Sequence, residues 1–294
     1  MKAIKYLLCL LLAVANVLHA EYKSPVNPDD YPREEIVKGT NALKAMPLYA
    51  RECLIAETMG LLVSPNKGSA YSLKLNRNNG EIYHDVVKDA QYFNSQGKEC
   101  KFWSTCGEMF SKKNLGKTNS QAWGETKRAM AVTCRDAILA AFEKDVTKLV
   151  CATAKYRLKC LSPKLRDAWL ALYGGMCYKP DGSEAHYEES SWQRHGTVDI
   201  KQQVVWRTPD EDVLFTDSKG NEYKLKELMD KNLRSQNILK QFNVITWCSN
   251  LVGVEDILNL FPQEVKAMRK YHKQAGMRLK EAAQEEPQET PPEA

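Results

Sequence analysis

One short segment of the chain combines residue types that suit acid–base chemistry on a phosphodiester. It reads Trp192-Gln193-Arg194-His195-Gly196-Thr197. An imidazole titrates near neutral pH, so His195 could take a proton from a ribose hydroxyl. Arg194 could stabilise negative charge on phosphorus through paired hydrogen bonds, and Trp192 could stack on a base. The segment therefore predicts His195 and Arg194 as catalytic residues and Trp192 as a substrate-binding residue.

Such a reaction also needs a group that protonates the leaving oxygen. His84 is one candidate, and His186, with Glu188 close by in the sequence, offers another. We therefore take His84 and Glu188 as candidate catalytic residues and His186 as a candidate substrate-binding residue. The alternative is that His195 is a surface-loop histidine hydrogen-bonded to the backbone, in which case the segment carries no chemistry.

The segment Trp192–Thr197 resembles the second active-site segment of the secreted acid ribonucleases, the ribonuclease T(2) family, which reads His-Glu-Trp-x-Lys-His-Gly-Thr-Cys. The similarity covers residues 161–261. It includes a helix at Leu161–Tyr173, a turn and helix at Gly220–Leu228, and a late strand ending in cysteine at Ile245–Cys248. The resemblance implies an exported, disulfide-bonded α+β ribonuclease in which His195 is the general base.

The chain departs from this family pattern at several positions. The family's first active-site segment, His-Gly-Leu-Trp-Pro, is absent. Ser190 and Ser191 stand where the second segment has His and Glu, and Val198 stands where it has Cys. Only His195, Arg194 (in place of Lys) and Trp192 carry over, so the catalytic acid would come from elsewhere in the chain.

The first twenty residues have the three parts of a secretory signal peptide. Lys2 and Lys5 precede an apolar run from Tyr6 to Leu18, and Ala20 supplies a small residue at the end. The run is too short to cross about 30 Å of hydrocarbon as a helix. The pattern predicts cleavage after Ala20 and a periplasmic or secreted protein, with a retained N-terminal anchor helix as the alternative.

The cysteine count agrees with export. Loss of Cys9 with the leader leaves an even set: Cys53, Cys100, Cys106, Cys134, Cys151, Cys160, Cys177 and Cys248. In an oxidising compartment such a set predicts four disulfides, whose pairing the sequence does not determine. Zinc is the competing interpretation, but zinc ligands are usually two to four residues apart. Here the close pairs have five and eight intervening residues.

Periodicity and turn residues predict an α+β fold, helix-rich in its N-terminal half. The C-terminal half is predicted to hold a small mixed or antiparallel sheet with helices. The whole fold is predicted to be stapled by disulfides. The specific elements are a hairpin from Tyr71 to Tyr83, a helix near residues 125–156, a helix starting at Ser162, and a buried strand at Asn243–Cys248. We expect an extended lead-in at 21–33, a single domain at 34–280 and an acidic disordered tail at 281–294.

Charge and motifs leave two functions open. The formal charge of +5 becomes +3 without Lys2 and Lys5, and +8 when the five tail glutamates are also set aside. A basic body suits RNA or another polyanion, although it also serves ordinary solubility. The sequence has no Gly-rich phosphate loop, His-Glu-x-x-His motif or Gly-x-Ser-x-Gly elbow, so we expect no cofactor or metal. The first hypothesis is an exported endoribonuclease that binds RNA, and the second is a non-catalytic exported interaction or effector protein with a protein partner.

Overall fold

The fold is that of a computed structural model, which describes residues 33–65, 70–75, 82–109, 139–195 and 201–285. The predicted signal peptide, most of the lead-in, Cys134 and the last nine residues lie outside this set. The chain divides into two compact units. The first contains residues 1–154, 193–202 and 247–253, and the second contains residues 155–192, 203–246 and 254–294.

The first unit combines helices with two antiparallel hairpins. The helices are α1 (Arg33–Ala45), α2 (Leu48–Thr58) and α3 (Phe102–Met109). The strands are β1 (Tyr71–Leu75), β2 (Ile82–Val86), β3 (Gln91–Phe93) and β4 (Glu99–Lys101), paired as β1–β2 and β3–β4. The helix α4 (Glu143–Cys160) begins in this unit.

Helix α2 supplies much of the first unit's core. It begins directly after Pro47, whose fixed φ suits a helix start. Its segment from Glu52 to Thr58 is buried throughout, so this helix is covered on all sides. The carbonyl of Met59, just beyond the helix, accepts a 3.2 Å hydrogen bond from the indole nitrogen of Trp247. That bond ties a residue near the C-terminus into the N-terminal core.

The second unit is built around helix α5 (Pro163–Tyr173) and small sheets. The strands are β5 (Cys177–Tyr178), β6 (Tyr187–His195), β7 (Lys201–Pro209), β8 (Leu214–Thr216) and β9 (Glu222–Lys224). Residues 193–195 of β6 and 201–202 of β7 are assigned to the first unit. They form the antiparallel sheet β5-β8-β9 and the two-stranded sheet β6-β7. The later helices are α6 (Leu225–Leu233), α7 (Gln236–Val252), α8 (Val254–Leu258) and α9 (Pro262–Glu285), and the part of α7 from Trp247 onward is assigned to the first unit.

Trp169 and Tyr173 form the buried centre of the second unit. Their rings stack with centroids 4.6 Å apart. The Trp169 indole donates to the Thr246 hydroxyl at 3.3 Å, and that hydroxyl donates to the Tyr173 oxygen at 3.2 Å. Each polar group of the trio is therefore satisfied inside the core, as buried polar groups must be.

These elements confirm the α+β class with small antiparallel sheets. The β1–β2 hairpin is present, and α5 begins as predicted, with the Ser162 hydroxyl accepting from the backbone nitrogen of Leu165. The prediction of a strand at Asn243–Cys248 is wrong, because these residues lie inside α7. Helix α9 continues to Glu285, five residues into the segment predicted to be disordered. Among the described helices, none is both long and apolar enough to cross a membrane.

Candidate functional site

Residues 192–195 of the predicted catalytic segment form the end of strand β6, and residues 196 and 197 lie outside the described residues. Trp192, Arg194 and His195 belong to this strand, and His84 lies in β2 opposite Leu73. The side chains of these four candidates are outside the described part of the structure. His186 and Glu188 are described and exposed, and neither side chain has a hydrogen bond or ion pair with another described residue. The described side chains therefore do not test the predicted site, and the roles of its residues stay predictions.

The strand geometry defines the faces of the β6–β7 hairpin. The backbone nitrogen of Asp210 donates to the His186 carbonyl at 3.4 Å, and Arg207 contacts Glu189. Both contacts fit an antiparallel pairing of the two strands at the base of the hairpin. Successive positions of a strand alternate between its faces. Positions 192 and 194 therefore belong to one face of the hairpin, and position 195 belongs to the other.

Arg207 clamps the base of this hairpin to helix α5. Its Nε donates to Glu189 Oε1 at 3.1 Å, and its Nη1 donates to the Leu172 carbonyl at 3.4 Å. The guanidinium carbon lies 5.7 Å from the ring centroids of both Tyr173 and Tyr187, within cation–π range. Arg207 thus joins both strands of the hairpin to the core helix.

A buried thiol lies beside the same clamp. Cys177 is 5% exposed, and its side chain shares a hydrogen bond with Tyr187. Burial raises the pKa of Cys177 to about 12, although the contacts with Tyr187 and Arg207 act in the opposite direction. Burial also raises the pKa of Tyr187. At neutral pH both groups are protonated, so they act here as packing and hydrogen-bonding groups and not as nucleophiles.

The exposed edge of β6 is polar. The stretch Glu188–Ser191 is exposed throughout, whereas the half-buried Trp206 on β7 packs against Phe242 with ring centroids 6.1 Å apart. We infer from the hydrogen bond between Asp210 and His186 that a regular antiparallel ladder directs the N–H groups of positions 189 and 191 away from β7. These outward N–H groups can donate to an added strand.

A second candidate site is an open groove beside helix α9, with a volume of about 650 Å3. It is lined by Thr216, Gly220, Glu222, Tyr271, Gln274, Met277 and Arg278. Two of its lining residues contact Tyr178, whose hydroxyl lies 2.8 Å from both the Thr216 hydroxyl and Glu222 Oε2. Burial raises the pKa of Tyr178 to about 12, and the Glu222 carboxylate adds to this rise. The groove combines one carboxylate, one guanidinium and an exposed methionine, which does not select one ligand class.

Cysteines of the first unit form a third cluster. Cys53 on α2 and Cys106 on α3 share a hydrogen bond, and Cys100 on β4 lies near enough to influence the Cys53 thiol electrostatically. None of the described cysteines is joined to another by a disulfide bond, so the predicted four-disulfide set stays a prediction. Among the described residues there is no group of three or more His, Cys, Asp or Glu placed to hold a metal ion.

Sequence reasoning missed Arg207 and the Cys53–Cys106 contact. Both depend on residues that are distant along the chain, so local patterns carry little signal for them. The one local hint is that Arg207 directly follows the apolar run Val204–Trp206, where a charged side chain that becomes buried requires a partner. Comparisons of the chain with family models, with curated proteins and with solved structures find no match.

Proposed function

We propose that this protein is an exported, disulfide-stabilised interaction protein whose β6–β7 hairpin binds an extended segment of a protein partner. The observation that carries the proposal is the open edge of the hairpin. Its two nine-residue strands pair only with each other among the described strands. A strand of this length extends about 30 Å, which is long for a two-stranded ribbon.

An open strand edge offers a row of backbone donors and acceptors to another chain. Addition of a partner strand to such an edge is a recurring mode of peptide recognition, in which backbone hydrogen bonds supply affinity. The base of the hairpin is held by Arg207, so the edge is presented on a fixed support. Preorganisation of this kind reduces the entropy that binding would otherwise cost.

The side chains of the edge favour a specific partner over general aggregation. The exposed positions are Glu188, Glu189, Ser190 and Ser191. Charged residues on an edge oppose indiscriminate strand pairing. Glu189 is engaged by Arg207, whereas Glu188 is available to a basic group on the partner. The partner segment is therefore extended, able to form backbone hydrogen bonds, and basic or polar where it meets Glu188.

Export and disulfides belong to the same proposal. The leader pattern and the even cysteine set support an oxidising destination. The contact between Cys53 and Cys106 supports at least one bridge. Cross-links would keep the scaffold folded outside the cell by restricting the unfolded chain.

Site-specific photo-cross-linking tests the contact. A benzophenone amino acid at Ser190 should give a discrete adduct in exporting cells, whereas the same probe at exposed Lys231 on α6 should not. Ser191→Pro removes an outward N–H and should abolish the adduct, while Ser191→Ala keeps the N–H and should retain it. Equal yields from the two Ser191 variants would contradict strand addition. An adduct between two copies of this chain would also contradict a separate partner.

The second candidate function is RNA cleavage, which the Trp192–Thr197 pattern favours. Incubation with the oxidised protein should then shorten RNA, and His195→Ala should abolish the effect. RNA that stays intact from pH 4 to pH 8 would eliminate this function. The strand alternation, which separates positions 194 and 195, is why we rank it second.

A further inference from the structure

The cysteine cluster of the first unit brings a buried thiol pair and a third thiol together. Cys53 is 0% exposed and Cys106 is 2% exposed, and their side chains share a hydrogen bond. The third, Cys100, is half-buried, and its thiol faces the Lys98 carbonyl at 3.6 Å. The cluster includes three of the eight cysteines of the predicted mature chain.

The elements around the pair hold it in place. Helices α2 and α3 pack together, and α2 also packs on β3. Between them Tyr92 on β3 is 1% exposed, with its hydroxyl 3.4 Å from the Tyr49 carbonyl and 3.5 Å from the Thr105 hydroxyl. The Tyr92 hydroxyl also shares a hydrogen bond with Cys100. Cys100 is therefore directed toward Tyr92, whereas Cys53 and Cys106 are directed toward each other.

The acid–base properties of the cluster suit a structural bridge. The hydrogen bond with Cys106 raises the pKa of Cys53, and burial raises it further. Burial also raises the pKa of Cys100, although Tyr92 and Lys98 oppose that rise. Reactive thiols of redox catalysts have lowered pKa values and are accessible. The pKa of Cys53 is raised and both thiols are buried, so a permanent bridge suits the pair better than a catalytic one.

We propose that Cys53 and Cys106 form a disulfide that fastens α2 to α3, and that Cys100 takes no part in it. The reaction joins the two sulfurs and removes one hydrogen from each thiol. A low-molecular-weight disulfide such as glutathione disulfide accepts both electrons and both protons and becomes two thiols. This pairing rests on the oxidising destination in the proposed function, but it can be measured without any binding partner.

Peptide mapping decides the pairing, because trypsin separates the three cysteines. Cleavage after Arg51, Lys67, Lys98, Lys101 and Lys112 leaves Cys53 in residues 52–67, Cys100 in 99–101 and Cys106 in 102–112. The full chain is refolded with glutathione disulfide, alkylated, digested and analysed by mass spectrometry. We expect peptide 52–67 linked to peptide 102–112, at the summed mass of the two thiol peptides less two hydrogen atoms.

Two serine variants test whether the disulfide joins Cys53 to Cys106. The 52–67 to 102–112 link should persist in Cys100→Ser and disappear in Cys106→Ser. A link from 52–67 to 99–101 in the wild-type chain would overturn the pairing. Recovery of Cys53 as an alkylated thiol, while other cysteines are oxidised, would also overturn it. Either result leaves the hairpin cross-linking experiment unaffected, so failure of the pairing is distinguishable from failure of the proposed function.

Discussion

Replacement of Arg207 by alanine tests whether the hairpin is fixed at its base. The substitution removes four interactions together: the ion pair with Glu189, the hydrogen bond to the Leu172 carbonyl, and the contacts with the rings of Tyr173 and Tyr187. All of these groups lie in the second unit. The hairpin should lose its attachment to α5 while the rest of that unit stays folded.

The expected loss in the free energy of unfolding follows from how exposed each contact of Arg207 is. Arg207 and Glu189 side chains are 32% and 54% exposed, so solvent screening limits the ion pair to about 0.5 kcal/mol. The hydrogen bond to the Leu172 carbonyl contributes about 1 kcal/mol. The two ring contacts contribute about 0.5 kcal/mol each at this exposure. We expect Arg207→Ala to lower the free energy of unfolding by about 2 to 3 kcal/mol, because these terms act at one site.

Urea unfolding followed by circular dichroism measures this loss as a lower midpoint at an unchanged slope. Arg207→Lys keeps the charge but loses the planar donor fork, so it should cost about half as much. The matched control is Lys226→Ala, which removes an ion pair with Glu211 from a lysine of similar exposure, 33%, without ring contacts. It should cost less than about 0.5 kcal/mol. If Arg207→Ala lowers the free energy of unfolding no more than Lys226→Ala does, the contacts of Arg207 do not hold the hairpin to α5.

Three further predictions concern the second unit. Tyr178→Phe should remove one late-titrating phenol from the ultraviolet titration. Because the folded-state pKa of Tyr178 is raised from 10.0 to about 12, its stabilising contribution is complete below pH 10 and is lost as pH rises through 12. The fall in stability over that window should therefore be shallower in the variant. Thr246→Val should lower the free energy of chemical unfolding by about 1 to 3 kcal/mol, because it removes the hydrogen-bond acceptor of the buried Trp169 indole. Thr246→Ser keeps that acceptor and should leave the free energy of unfolding nearly unchanged. In the folded, reduced protein a thiol reagent at pH 8 should label exposed Cys160 rapidly and buried Cys177 slowly, and equal rates would contradict the burial of Cys177.

Local sequence signals predicted some elements well because those elements are determined locally. Ser162 and Pro163 mark the start of α5, since a hydroxyl cap and a fixed φ both favour a helix beginning there. The alternating pattern of Tyr71–Leu75 likewise predicted a strand of the β1–β2 hairpin. The cap of α5 lies within three residues of its hydrogen-bond donor, and the paired positions of the hairpin are 7 to 15 residues apart, so both elements depend on neighbouring parts of the chain.

The error at Asn243–Cys248 has a tertiary cause. Val244, Ile245 and Thr246 are β-branched and favour strands as an intrinsic preference. In the structure they continue α7, and each is buried. Burial on the helix, including the hydrogen bonds made by Thr246, outweighs a preference worth less than about 1 kcal/mol per residue.

The sequence indicated candidate site residues but not how they are arranged on the fold. The sequence directed attention to Trp192, Arg194 and His195, and the structure puts them in one strand. Their separation between two faces depends on that strand conformation, which the segment's motif does not encode. The role of Arg207 was not predicted, because its contacts with Leu172 and Glu189 join residues that are 35 and 18 positions apart in the chain.

Amide hydrogen exchange of β6 in the complex isolated by cross-linking at Ser190 tests strand addition most directly. In the unbound protein the outward N–H groups of Glu189 and Ser191 should exchange rapidly, because they have no partner in β7. Bound to an added strand, they should exchange much more slowly, while the amides of α6 should not change. Unaltered exchange at both positions in the complex would show that the partner binds elsewhere, and would contradict the hairpin edge as the binding element.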